Sequence, residues 1–252
     1  MFTPEGANLW AFVPQSDGAA DQTNMLSALP YHVERWVIAV ADWRVTARTA
    51  TAYMCHSEVL VHPDGQHGGF ASFDGNDGWS GQWVRWDGAG VETVIYAGPM
   101  KTADIHPSGT RWLAHDTCEL LVGDFHNAPV SCIPIEEDDD EMPEEEWDDH
   151  PYGGYDMDFT YARLVTTNLV LAACEELTED PTQYPHLLFS VDPPRRLGSV
   201  SYPRHSTKEQ SNPASEVVVA SAGDGTWLTF TPTEQDTRTG HLQRWRLHPP
   251  IS

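Results

Sequence analysis

The 252-residue sequence predicts an all-β chain built from about five repeats of a four-stranded unit. Three observations carry that expectation. Short runs of aromatic, β-branched and aliphatic residues recur along the chain, they are bounded by Gly, Pro, Asp and Asn, and their order repeats.

The plainest runs are His32 to Trp36, Gln82 to Trp86, Glu119 to Gly123, His186 to Ser190 and His241 to Trp245; the first, second and fifth end in Arg-Trp. Each is preceded by a second run: Leu9 to Val13, Gly69 to Phe73, Arg111 to His115, Leu169 to Ala173 and Thr226 to Phe230. A third run stands ahead of four of these, at Glu58 to Val61, Ala103 to Ile105, Ala162 to Val165 and Glu216 to Val219. A fourth closes four units, at Val37 to Val40, Val91 to Tyr96, Pro129 to Ile133 and Leu197 to Tyr202. The distance from Trp36 to Trp245 averages about 52 residues per unit, against ~40–50 for propeller repeats.

The expected architecture is therefore a small β-propeller of about five four-stranded blades, one domain over 1–252, with an acidic insertion at 136–150 on a surface loop. The first unit lacks an opening strand and the fifth a closing one, and Met1-Phe2-Thr3-Pro4 is a poor strand. Helix is expected only in short pieces such as Asp21 to Leu29.

Val61-His62-Pro63-Asp64-Gly65 and Ile105-His106-Pro107-Ser108-Gly109 look like the hydrophobic-x-Pro-Asp/Ser-Gly turn between the first two strands of a blade. Over nearly its whole length the chain resembles β-propellers of the WD40 or TolB-like kind. Its Trp-Asp dipeptides, Trp86-Asp87 among them, do not recur with a Gly-His partner in each unit, so the WD40 signature is incomplete and no subfamily is identified. The resemblance implies a scaffold and says nothing of chemistry.

Charge narrows the partners. With 38 acidic and 14 basic residues the net charge is −24, which opposes nucleic acid and anionic membranes because both are bound largely through Lys and Arg. Eleven acidic residues lie between Glu136 and Asp149, yet the rest of the chain is acidic too. Such charge serves solubility or attracts a basic partner or a cation. No run approaches the ~18–20 apolar residues of a membrane-spanning helix. Met1 to Ala7 has no secretory-signal pattern, and a cytoplasmic protein is expected. Cys55, Cys118, Cys132 and Cys174 form no CxxC pair and are expected as free, mostly buried thiols.

Gly78-Trp79-Ser80-Gly81-Gln82 departs from a nucleophile elbow at its last position and is expected inside a Gly-rich hairpin loop from Asp74 to Gly81. His56, beside Cys55, and His115 with Cys118 are the metal-ligand candidates. Neighbours one or three apart on a strand face opposite ways, which favours structural use. His62 and His106, at equivalent places, are assigned to turn geometry. The segment Ile135 to His150 could collect hard cations but lacks calcium-loop spacing and is expected to be a solvated loop. Asp42, Glu58, Asp104 and Asp224, near strand ends, are the candidate catalytic carboxylates. Trp10, Trp112 and Trp227, and Trp36, Trp86 and Trp245, recur at repeat-equivalent places and are expected in interblade packing. Trp43, Trp79, Trp83 and Trp147 stand outside the pattern and are the candidate ligand-binding residues.

Two functions fit. The favoured one is a non-enzymatic binding or assembly scaffold for a protein partner or small-molecule ligand, since rigid frameworks carry recognition on loops. The alternative is a propeller enzyme acting on a small molecule or glycan through carboxylates or a His-bound metal near the ring axis. No cofactor is specified by the sequence.

Overall fold

A computed structural model describes residues 1–14, 31–54, 56–73, 79–88, 90–116, 119–125, 131–134, 157–176, 186–200, 202, 217–233 and 236–247. Among them are eighteen strands in five antiparallel sheets and no helix. No described helix is therefore long and apolar enough to cross a membrane. The chain divides into two compact units, Met1–Gly109 and Thr110–Ser252.

In the first unit, β1 (Asn8–Pro14), β2 (Tyr31–Ala39) and β3 (Arg44–Met54) form a three-stranded sheet in sequence order. The second sheet is β4 (His56–Val61), β5 (His67–Phe73), β6 (Trp79–Trp86) and β7 (Val91–Gly98). The third sheet has the order β11-β10-β9-β8, made of β8 (Lys101–Ile105), β9 (Arg111–His115), β10 (Glu119–Asp124) and β11 (Ser131–Pro134). The second unit continues with β12 (Met157–Thr166), β13 (Leu169–Glu176), β14 (His186–Val191) and β15 (Pro194–Ser199). It ends in the three strands β16 (Val217–Ser221), β17 (Thr226–Thr233) and β18 (Asp236–Arg246). Among the described residues the first and last sheets have three strands each. Met1 to Thr3 double back on β1 through a bridge between Phe2 and Leu9, with the Trp10 N–H donating to the Met1 carbonyl at 2.9 Å.

Burial follows the strand pattern. In the first unit Trp10, Val37, Ala47, Phe70 and Val84 pack together, with Val59, Val61, Trp86 and Val91 against them. In the second, Val165, Leu169, Leu171, Leu188 and Trp227 form a core flanked by Tyr161, Leu197, Tyr202 and Trp245. Every residue of β14 is buried, whereas its neighbour β15 presents Pro194, Arg195 and Arg196 to solvent. Proline and charge on an outer strand discourage edge-to-edge pairing.

Four expectations are corrected. Val37 to Val40 is not a separate strand: residues 37–39 complete β2, and the closing strand is β3 beyond a turn at 40–43. Leu197 to Tyr202 overlaps β15, which begins three residues earlier at Pro194. Trp79 to Gly81 belong to β6, because Phe73, Ser72 and Ala71 pair with Trp79, Ser80 and Gly81 and lengthen the hairpin. Gly81 is required there, since a Cβ would collide with the Met100 carbonyl oxygen. Cys132 is exposed: Ile133 takes the inward place on β11, and alternation turns its neighbour outward. Partial burial, then the Glu119 and Asp116 carboxylates, push that thiol's pKa up. The region 21–29 and the acidic insertion lie outside the described residues.

Candidate functional site

Imidazole and carboxylate side chains converge at the turn between β4 and β5, His62-Pro63-Asp64-Gly65-Gln66-His67. Pro63 presets one turn dihedral, and Gly65 takes the left-handed conformation, φ 71°, that side chains resist. The Gly65 N–H donates to the His62 carbonyl at 2.9 Å. Asp64 Oδ1 accepts the N–H groups of Gln66 and His67 at 2.8 and 3.0 Å.

His62 is 7% exposed, and its Nε2 lies 2.8 Å from the Gly109 carbonyl oxygen. A carbonyl only accepts, so Nε2 carries a proton and donates it. Nδ1 accepts the Asp64 N–H at 3.0 Å and stands 2.9 Å from Asp64 Oδ1. His67 Nδ1 donates to Asp64 Oδ2 at 2.7 Å. Partial burial by itself raises the Asp64 pKa. Hydrogen bonds from the His67 ring and from the His67 and Gln66 backbone, with the His62 ring nearby, outweigh it and hold the carboxyl below its usual range.

The turn at His106-Pro107-Ser108-Gly109 repeats the geometry: His106 Nδ1 accepts the Ser108 N–H at 3.2 Å and contacts Ser108 Oγ at 2.7 Å. The assignment of both histidines to turn geometry therefore agrees with their hydrogen bonds. His62 does more, because its Nε2 ties its own turn to the turn of the next strand pair. The second unit has comparable ties, from an Arg111 guanidinium nitrogen to the Thr167 carbonyl and from the Gly225 N–H to the Val165 carbonyl at 2.9 Å.

Two buried polar arrangements were not foreseen. His186, 2% exposed, has Nε2 2.7 Å from the Tyr161 hydroxyl and Nδ1 2.5 Å from the Tyr202 hydroxyl, which also accepts the Trp227 indole N–H at 3.1 Å. In its neutral form an imidazole offers one donor and one acceptor, one for each tyrosine hydroxyl. Arg35, 5% exposed, lies 4.9 Å over the Phe70 ring, and its Nε has no hydrogen-bond partner among the described residues. Burial lowers its pKa to about 10.

Asp42 accepts from the Arg44 backbone and Arg44 Nε, at 3.2 and 3.3 Å. Asp224 receives the Thr226 hydroxyl and N–H, and these bonds lower its pKa, the hydroxyl foremost. Asp104 lies half-buried on β8. Glu58 and His56 are on β4, with side chains outside the described residues, as are Cys118 and Trp147 altogether. His115 is 4% exposed, with Nδ1 3.0 Å from the Asp116 carbonyl oxygen. Trp43 is 65% exposed at the β2–β3 turn, and Trp79 is half-buried beneath Lys101 Nζ, 5.0 Å from its ring. Trp83 is wholly buried where a surface role was expected: its ring covers Gly69, its cross-strand partner, where a Cβ would approach it to 2.7 Å. Ser80 is paired within β6 and forms no strand-to-helix elbow.

No protein-family model matches the sequence, and no curated protein matches it. Solved structures do. An acylaminoacyl peptidase from Pyrococcus horikoshii aligns over 98% of this chain and 37% of its own, with 13% identity and a TM-score of 0.52. Prolyl oligopeptidase B from Galerina marginata, bound to a 35mer hydrolysis and macrocyclization substrate, aligns over 99% of this chain and 32% of its own, with 9% identity and a TM-score of 0.54. The chain thus spans well under half the length of these two peptidases. The β-propeller domain of the Trilobed protease from Pyrococcus furiosus, described as having an open velcro topology, aligns over 98% of this chain and 67% of its own, with 8% identity and a TM-score of 0.53. At such identities the likeness concerns architecture alone, and together with the five sheets it shows an all-β chain with a β-propeller fold of about five blades.

Proposed function

We propose that the chain is a non-enzymatic binding scaffold, a single propeller domain that presents side chains on its hairpin turns to a basic peptide or protein segment. The observation that carries this reading is Trp43. It is 65% exposed at the β2–β3 turn and has φ 55°, a left-handed backbone unusual for a bulky residue. Strain of this kind costs on the order of 1–3 kcal/mol and concentrates at functional positions. The turn is braced by the 3.3 Å ion pair of Asp42 with Arg44. An exposed Trp on a fixed turn is a fitting recognition residue, since Trp is enriched among the residues that dominate interfaces.

The partner's charge follows from the chain's own: a net −24 attracts cationic segments and repels acidic ones. The likeness to a peptidase bound to a 35mer substrate is compatible with an extended polypeptide as the partner. The carboxylates Asp42 and Asp224 are engaged in their own turns, which suits a framework better than acid–base chemistry.

The test is fluorescence anisotropy with labelled Lys/Arg-rich, neutral and acidic peptides of equal length, at low and raised salt. Basic peptides should bind more tightly, lose affinity with salt, and bind Trp43→Ala more weakly than the parent. Equal binding of all three peptides, or no effect of Trp43→Ala, would remove the reading.

A further inference from the structure

We propose that His62, Asp64 and His67 form a binding site for a divalent transition metal ion of the zinc type, with His62 Nδ1, the Asp64 carboxylate and His67 Nδ1 as ligands. The three ligand atoms lie within 4.8 Å of one another. The closest pairs, His62 Nδ1 to Asp64 Oδ1 at 2.9 Å and His67 Nδ1 to Asp64 Oδ2 at 2.7 Å, are compatible with bonds of about 2.0–2.2 Å to one ion.

Three features beyond proximity point to a metal. The Gly109 carbonyl fixes the proton of His62 on Nε2, which leaves the Nδ1 lone pair facing Asp64. A carbonyl holding the far N–H of an imidazole is the usual outer support of a ligating histidine. The carboxylate is oriented in the same way by the Gln66 and His67 N–H groups. The donors are two imidazole nitrogens and one carboxylate, a set that suits zinc and its neighbours and not calcium or magnesium, and three protein ligands leave a fourth position for water.

The companion turn supplies the contrast. His106 satisfies the turn N–H just as His62 does, yet Ser108 stands in the place of Asp64 and Arg111 in that of His67. Turn geometry therefore needs the histidine and a short polar residue, Asp64 or Ser108, whereas the second imidazole of the first turn, His67, has no counterpart in the companion turn. Metal binding has to displace two existing bonds, the Asp64 N–H to His62 Nδ1 and the His67 N–H to Asp64, with the His67 proton passing to Nε2.

The proposal is independent of the scaffold reading and is tested on the whole chain. Titration calorimetry with zinc chloride in the presence of a competing chelator separates one tight site from diffuse binding by an acidic, histidine-containing surface. The parent should bind one equivalent tightly. His67→Ala and Asp64→Asn should each lose more than about tenfold in affinity, and His106→Ala should bind as the parent does. Cobalt in place of zinc should give visible absorption bands in the parent that are absent in His67→Ala. His67 is a partly exposed residue, and thermal melts without metal establish that its variant is folded. Three results would overturn the site: no equivalent tighter than the diffuse binding, unchanged affinity in His67→Ala, or an equal loss in His106→Ala.

Discussion

The indole of Trp112 on β9 lies across Gly123, its register partner on β10, so closely that no Cβ fits between them. The same relationship joins Trp83 on β6 to Gly69 on β5. A small residue on one strand makes room for the largest on the next. Gly123→Ala should therefore force the ring off its place and cost about 1–3 kcal/mol, the usual penalty of overpacking. Gly90→Ala, where a Cβ meets nothing within 4 Å, is the control and should change stability by less than about 0.5 kcal/mol. Urea midpoints of the two variants decide it.

Trp112 and Trp227, 2% and 3% exposed at equivalent places in β9 and β17, should each cost about 3–5 kcal/mol when cut to Ala. Trp79→Ala, half-buried at the start of β6, should cost clearly less. Denaturant midpoints of the three variants measure the order, and a more damaging Trp79 variant would mean that the packing roles are misassigned.

His186→Phe keeps a ring of similar size but removes the bonds to Tyr161 and Tyr202. A loss of about 1–3 kcal/mol is expected, because each buried hydrogen bond contributes about 1 kcal/mol net and polar groups left behind cost more. Tyr202→Phe should also be destabilising, since its hydroxyl serves both His186 and Trp227. Thermal unfolding of the single and double variants should show less than additive losses, as expected for members of one network.

Arg35 should behave in the opposite way. Burial lowers its pKa to about 10, below the ordinary arginine range, so the folded chain releases this proton before the unfolded one. The burial penalty on the charge is present in full below about pH 10, and the stability contribution rises as pH climbs from there toward the ordinary arginine range. Arg35→Met keeps the apolar stem against Phe70 and removes the charge. It should leave the denaturant midpoint at neutral pH unchanged or raised, as when a buried charge gives way to an apolar group of similar size. A loss above about 2 kcal/mol would show that the guanidinium contributes more than its burial costs.

Much of this was legible in the sequence, and the rest was not for identifiable reasons. Runs such as Arg111 to His115 and Leu169 to Ala173 announce strands because their aliphatic and aromatic residues are local signals. The strand β3, Arg-Val-Thr-Ala-Arg-Thr-Ala-Thr-Ala-Tyr-Met, carries little of that signal and was missed, because pairing with β2 and not its own hydrophobicity makes it a strand. The burial of Trp83 depends on Gly69 lying opposite, which is a matter of register. The grouping of His186 with Tyr161 and Tyr202 depends on three strand-to-strand placements that no spacing reveals. His62, Asp64 and His67 stand close together in the sequence, yet the direction of their Nδ1 atoms emerges only when the Gly109 carbonyl is in place.

Every named strand pairing described here joins consecutive strands, from β1 with β2 to β17 with β18. During synthesis each described strand therefore pairs with the strand made just before or just after it. Contacts of short sequence separation form quickly because little chain entropy is lost in closing them. For an all-β chain, which is otherwise prone to slow pairing and to exposing sticky edges meanwhile, such a layout shortens the interval in which an unpaired strand is open to aggregation.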